Sequence, residues 1–237
     1  MKTPQTILLK ISGDYLASDD SIFSKERVDT LAHTICELQK LYKGIYVVVG
    51  GGNIARGREL SSFGFKHGAA DTIGMVSTLQ NAQILKETLD AMGSPAHIMA
   101  PFGAPSLKIH AYEPDQAKHW SEGHGDIVIF GGGLGLRGFT TDMAAVSRAY
   151  ETGIDLVVKV TEVGGLYTCD PAKHADAELI PTCTYEQALE KKYGVMDLEA
   201  FVFASNKKIA IKITSLNIKN LTPENILSEE NGTLISE

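Results

Sequence analysis

Residues 126–135 read Asp-Ile-Val-Ile-Phe-Gly-Gly-Gly-Leu-Gly. Four successive apolar side chains, with Asp126 before them and glycines after, fit a strand buried on both faces, as in a parallel sheet. The arrangement has an earlier counterpart, where 45–49 (Ile-Tyr-Val-Val-Val) runs into Gly50-Gly-Gly-Asn53. Outward from these, apolar runs at 6–11 (TILLKI), 96–99, 155–160 (DLVVKV) and 209–213 read as further strands. Between them, 24–41 carries Val28, Leu31, Ile35 and Leu38 at helical spacing, and 70–92 carries Ile73, Val76, Leu85 and Leu89. Helices are also expected at 141–151 and within 113–122, the latter in a Pro-, Gly- and His-rich segment of no clear pattern. Thr184 and Gln187 fit a capping box opening a helix that runs to Tyr193. Thr222-Pro223 puts proline at the first turn of a final helix. Apolar strands alternating with helices predict an α/β chain: a single-domain αβα sandwich around a largely parallel sheet.

Composition excludes several classes. Of the 237 residues, 43% are apolar and 22% charged, enough apolar surface for a core and too much for a disordered chain. A net charge of −7 without a Lys/Arg-dense stretch argues against a binder of nucleic-acid backbones. The spacings of Cys36, Cys169 and Cys183 match no familiar metal motif, so reduced thiols and no metal site are expected. Neither a signal-peptide apolar region nor a run of about 18 apolar residues occurs, and a soluble cytoplasmic protein is expected.

The glycine clusters point to chemistry. Glycines directly after parallel strands let backbone N–H groups approach a phosphate, and the next helix adds positive charge at its N-terminus. Two tight turns needing glycine for conformation alone are the simpler alternative. Gly133-Leu-Gly135-Leu-Arg-Gly138 also satisfies the G-x-G-x-x-G pattern of dinucleotide sites, so a nicotinamide-binding oxidoreductase stays open at this stage. Against it, Asp155 has the spacing of the ribose-binding acid but begins its strand. Lys10 and Lys159 interrupt otherwise apolar strands near their carboxyl ends, where an ammonium needs a partner or a route to water. A polyanionic ligand is one such partner.

The motifs Lys10-Ile-Ser-Gly13, Gly50-Gly-Gly-Asn-Ile-Ala-Arg-Gly57, Phe139-Thr-Thr-Asp142 and Lys159-Val-Thr161 occur in the order seen in the amino acid kinase family, which this chain resembles. Asp170-Pro-Ala-Lys173, Val195-Met-Asp-Leu198 and Gly232-Thr-Leu-Ile235 are similar to its bacterial uridylate kinase branch. The resemblance spans roughly residues 6–236. It implies the amino acid kinase fold, phosphoryl transfer from Mg²⁺-ATP to UMP, and a homo-oligomer, commonly a hexamer. It also implies an acceptor-binding part over about 1–155 and an ATP-binding part over about 156–237. By resemblance, Lys10, Arg56, Asp142 and Lys159 are catalytic. Lys10, Ser12, Gly13, Gly52, Arg56, Thr161, Tyr167 and Asp170 would bind ATP. Gly51, Asp71, Leu134, Gly135, Leu136, Arg137, Gly138, Phe139, Thr140 and Thr141 would bind UMP. Asp142 has a second reading as the N-cap of the helix it opens.

Three departures from the family pattern stand out. Leu134, Leu136 and Arg137 replace a hydroxyl, an amide and a proline in the acceptor loop. Val163-Gly164-Gly165 lacks an expected aspartate, and Ala17-Ser-Asp-Asp-Ser21 stands where many members carry a glycine-rich segment. A sister kinase acting on another small anionic acceptor and a non-catalytic nucleotide-binding subunit therefore also remain open.

Overall fold

The computed structural model describes residues 2–55, 60, 62–65 and 68–237. Among these, nine strands form one sheet, β1 (Thr6–Ile11), β2 (Gly44–Val49), β3 (Ala96–Ala100), β4 (Ile109–Ala111), β5 (Ile127–Phe130), β6 (Leu156–Val160), β9 (Thr182–Thr184), β10 (Ala210–Thr214) and β11 (Thr233–Ser236). The order is β4-β3-β5-β2-β1-β6-β10-β11-β9, and every pairing is parallel except β10 with β11. A separate ribbon pairs β7 (Leu166–Tyr167) with β8 (Leu179–Ile180).

Side chains alternate across a strand, so β1 serves two cores. Ile7, Leu9 and Ile11 pack with α1 (Lys25–Gln39) and α2 (Ala69–Ala91). Leu8 joins Tyr46, Val48 and Val157 on the opposite face, beneath α4 (Thr141–Thr152), α5 (Tyr185–Lys191) and α6 (Leu198–Lys207). Lys10 shares the Leu8 face. Because β1 lies at the sheet's centre, Lys10 is not an edge-strand lysine reaching water.

The expected strands and the long helices form within a residue or two of their predicted bounds, and Thr184 and Gln187 make the capping box. Two expectations need correction. The helix expected from Thr222-Pro223 does not form; α7 (Ile218–Leu221) ends at Thr222, and one turn follows, closed by Asn225 and Ile226 donating to the Thr222 carbonyl. The Ser228 carbonyl accepts from the side chain of Lys212 instead of serving a continued helix. Ile73 and Val76 of α2 are exposed, while Leu85 and Leu89 are buried, so the apolar stripe covers only the second half of that helix. In the 113–122 segment, α3 (Pro114–Lys118) continues into a π-helix, His119–His124.

Candidate active site

The carboxyl ends of β1 and β6 lie side by side, with Lys10 and Lys159 in register on adjacent strands. Both side chains point to the face that α4 covers, and Asp142, in the first turn of α4, meets them. Lys10 Nζ lies 2.8 Å from Asp142 Oδ1, and Lys159 Nζ lies 2.6 Å from Oδ2. The Lys159 contact is also a well-directed hydrogen bond, whereas the Lys10 contact is an ion pair off that direction. Burial alone would raise the Asp142 carboxyl; the two ammonium groups outweigh it and hold the carboxyl below its ordinary range. Burial, with repulsion from Lys10, lowers Lys159 to about 8 against the attraction of Asp142. Two cations around one carboxylate leave the cluster with a surplus positive charge.

Asp142 is therefore not the cap of its helix. Thr140 is: its hydroxyl accepts from the Asp142 and Met143 N–H groups and donates to Asp197. Freed from capping, the Asp142 carboxylate is available to hold two lysines that would otherwise repel each other.

The turn at Gly13, after β1, and the Gly50–Gly52 turn, after β2, are pressed together in front of this cluster. A Cβ on Gly13 would stand 2.6 Å from Asn53 Oδ1 and 2.7 Å from the Gly52 N, so no other residue fits there. The helix α2 then fastens both the Gly50–Gly52 turn and the Gly131–Gly138 loop, using residues spaced along one stripe. Asn81, fully buried, donates to the Gly50 carbonyl at 2.6 Å and to Asn53 at 2.7 Å. Thr78 accepts from the Gly132 N–H at 2.7 Å. Asp71 accepts from the Gly138 N–H at 2.8 Å. Gly51 packs against Ser77 and Gly74 of the same helix.

The loop 133–138 is held from its other side by Arg148. This buried guanidinium lies 3.5 Å over the Tyr112 ring, pairs with Glu151 at 2.8 Å and reaches the Gly133 carbonyl at 3.5 Å. Arg137 folds over Gly68 at the start of α2, where any Cβ would stand 2.6 Å from its Cδ. Leu136 and Phe139 are exposed, and Thr141 opens α4. Asp155 precedes β6 at the end of the sheet remote from the glycine turns, where its carbonyl accepts from Ala210. The acid that a dinucleotide site needs is thus at the wrong end of the strand.

The remaining predicted residues are placed as follows. Ser12 and Gly13 follow β1, with the Ser12 hydroxyl donating to Asp14 at 3.4 Å. Thr161 follows β6 and accepts from the Gly164 N–H. Tyr167 ends β7 and donates to the Val163 carbonyl, and Asp170, in the segment between β7 and β8, pairs with Lys173 at 3.0 Å. Arg56 lies outside the described residues. The sequence reading passed over Thr78, Asn81 and Arg148, whose signal is a polar residue recurring inside an otherwise apolar helix face.

This architecture has counterparts among known proteins. A sequence profile described as the amino acid kinase family matches residues 5–215. A uridylate kinase of Bradyrhizobium sp. is 37% identical over 231 residues, covering 97% of this chain and 96% of that protein. One from Pseudomonas putida is 34% identical over 232 residues, covering 98% and 93%. The crystal structure of a UMP kinase from Bacillus anthracis superposes with a TM-score of 0.91 at 29% identity, covering 98% of this chain and 96% of that one. That of a UMP kinase from Ureaplasma parvum gives 0.87 at 28% identity, covering 99% of each. The chain belongs to the amino acid kinase family.

Proposed function

We propose that this protein is a nucleoside monophosphate kinase that transfers the γ-phosphoryl group of ATP to UMP, giving UDP for pyrimidine nucleotide synthesis. The observation that carries the reading is the buried Lys10–Asp142–Lys159 cluster at the carboxyl ends of two central strands, beside glycine turns fastened by one helix. The names of the relatives, which match nearly the whole chain, support UMP as acceptor.

The chemistry asks little covalent work of the protein. An acceptor phosphate is largely ionised near neutrality, its second pKa being about 6, so no general base is required. What remains is to bring two polyanions into line and to stabilise charge on the transferring group. Lys10 and Lys159 supply that charge, and Asp142 fixes the distance between them. Arg56 is proposed as a third cation from the family resemblance alone.

In this assignment the ATP phosphates lie against Lys10, Ser12, Gly13 and Gly52, with the nucleoside toward Thr161, Tyr167 and Asp170 in the part from about 156 onward. UMP occupies the part before it, against Gly51, Asp71 and the 134–141 loop. With Leu134 and Leu136 in place of hydrogen-bonding side chains, recognition of uracil falls to backbone groups of that loop. Magnesium arrives with ATP: both Asp142 oxygens are engaged by lysines, a donor set that fits an ion held mainly by the nucleotide's own phosphates. When bound, it neutralises charge on the transferring phosphoryl group.

The protein is proposed to work in the cytoplasm as a homo-oligomer, with a hexamer as the expected form. Support comes from the exposed Val76, Phe102 and Leu107, which line an apolar hollow of about 630 Å³ on the outer side of α2. None of the described helices is long and apolar enough to cross a membrane. A coupled ADP-release assay with UMP, CMP, dTMP, GMP and AMP tests the acceptor. UMP should exceed every other nucleotide by at least about tenfold in kcat/KM. Equal turnover of all five, or of none, would overturn the assignment.

A further inference from the structure

The sequence spacing of the cysteines suggests no metal site, yet folding places one of them in a mixed donor group. Between β7 and β8, the segment 168–178 is closed at its base by the Thr168 N–H donating to the Glu178 carbonyl and the Glu178 N–H donating to the Thr168 hydroxyl. Within it, the N–H groups of Lys173 and His174 both turn back to the Asp170 carbonyl, and the Ala177 N–H to the His174 carbonyl. These two successive turns fold the spacing Cys-x4-His-x-Asp onto itself. As a result Cys169 Sγ, a ring nitrogen of His174 and a carboxylate oxygen of Asp176 all lie within 4.8 Å of one another. Among the described residues no other three His, Cys, Asp or Glu side chains converge in this way.

We propose that Cys169, His174 and Asp176 form a binding site for a borderline-soft divalent cation of the zinc class. The donors are one thiolate, one imidazole and one carboxylate, the ligand types that zinc selects, whereas magnesium and calcium take oxygen. Metal–ligand distances of about 2.0–2.3 Å put tetrahedral donors roughly 3.3–3.6 Å apart. The observed spread is wider than that by about 1 Å, and the three side chains are half-buried or exposed. Three protein ligands leave a fourth position to water, the arrangement of open zinc sites. Asp170 is not one of the ligands, being held by Lys173 and the Ala172 N–H. The other two thiols lie elsewhere, Cys36 on α1 against the Ser94 hydroxyl and Cys183 in β9. The proposal does not rest on the kinase assignment, although the segment contains Asp170 of the proposed ATP site, and it is assayed without nucleotide so that the ion travelling with ATP plays no part.

The test is metal binding by the full chain after chelator treatment and exhaustive dialysis. In competition with a chromogenic chelator, the protein should bind one equivalent of Zn²⁺, and Cys169→Ser and His174→Ala should each weaken it at least about tenfold. Loaded with Co²⁺ alone, it should show a thiolate-to-metal absorption band that Cys169→Ser abolishes and Cys36→Ser preserves. Zinc affinity unchanged in Cys169→Ser, or a cobalt band that follows Cys36, overturns the proposal. Cys169 and His174 stand in the loop between β7 and β8, outside the core, so circular dichroism of these two variants should match that of the parent.

Discussion

Three lysines lie buried in three adjacent strands, yet the two faces of the sheet use them differently. Lys10 and Lys159 share one face, meet the carboxylate of Asp142 and border the glycine turns. Lys212 is in register with Val158, one residue out of step with Lys159, so it points to the other face. There it is fully buried and donates to the Ser228 carbonyl at 2.8 Å, tying the 222–232 turns to the sheet. Burial lowers Lys212 and Lys159 alike to about 8. A displaced lysine pKa therefore does not separate a reactive site from a structural one; the partner and the end of the strand do.

The largest effect should follow from removing the shared carboxylate. Asp142→Asn leaves two buried cations facing each other, and loss of one partner from a buried ion pair costs roughly 3–5 kcal/mol. Denaturant unfolding should show a loss of that order, and the variant should turn over more slowly than either lysine variant. A stability within about 1 kcal/mol of the parent would mean that the cluster is not electrostatically closed. Next, Lys159→Met and Lys212→Met separate the faces. Steady-state kinetics should give a fall of about 10²–10³ in kcat for the first, and less than about threefold for the second. Equal losses would erase the distinction drawn between the two faces.

The pH dependence sharpens the contrast. Lys159 must be charged to hold phosphate, so kcat/KM, which reports the free enzyme, should fall above pH 8 and approach a tenfold loss per unit. Lys159→Arg should remove that limb. Stability moves the other way. Both lysines have folded pKa values below their unfolded value of 10.5, so from about pH 8 upward the unfolded chain binds more protons, and their contribution to stability rises with pH. Unfolding followed between pH 8 and 9 should show no loss parallel to that of activity. The smallest effect concerns the acceptor loop. Arg148→Lys keeps a charge but loses the planar stack on Tyr112 and the reach to Gly133, and should raise the KM for UMP about three- to tenfold, the worth of one hydrogen bond, with kcat little changed.

Much of this architecture was legible in the residues themselves. The Val/Ile runs and the glycines behind them marked the strands and their carboxyl ends, and Lys10 and Lys159 stood out as charges in apolar strands. Lys212 has the same signature in Ile-Ala-Ile-Lys-Ile, yet the sequence alone does not show which face it takes, because that depends on register against β6. The role of Asp142 was ambiguous for a similar reason: Thr140 and Asp142 are both good capping residues, and only the position of α4 over β1 and β6 decides between them. The ribbon strands β7 and β8, two residues each, the edge strand β9 and its neighbour β11 are too short to carry a period. Of the stripe along α2, Asp71 was named by resemblance, whereas Thr78 and Asn81 were hidden because they act on loops distant in sequence. The Cys169–His174–Asp176 group became visible only once two turns had folded its spacing.

The most direct measurement is the kcat of Lys10→Ala with ATP and UMP both saturating. A charge that acts on the transferring phosphoryl group predicts a fall of at least about 100-fold with the KM for UMP changed only a few-fold. A kcat within about threefold of the parent would show that the cluster at the ends of β1 and β6 does not carry the reaction.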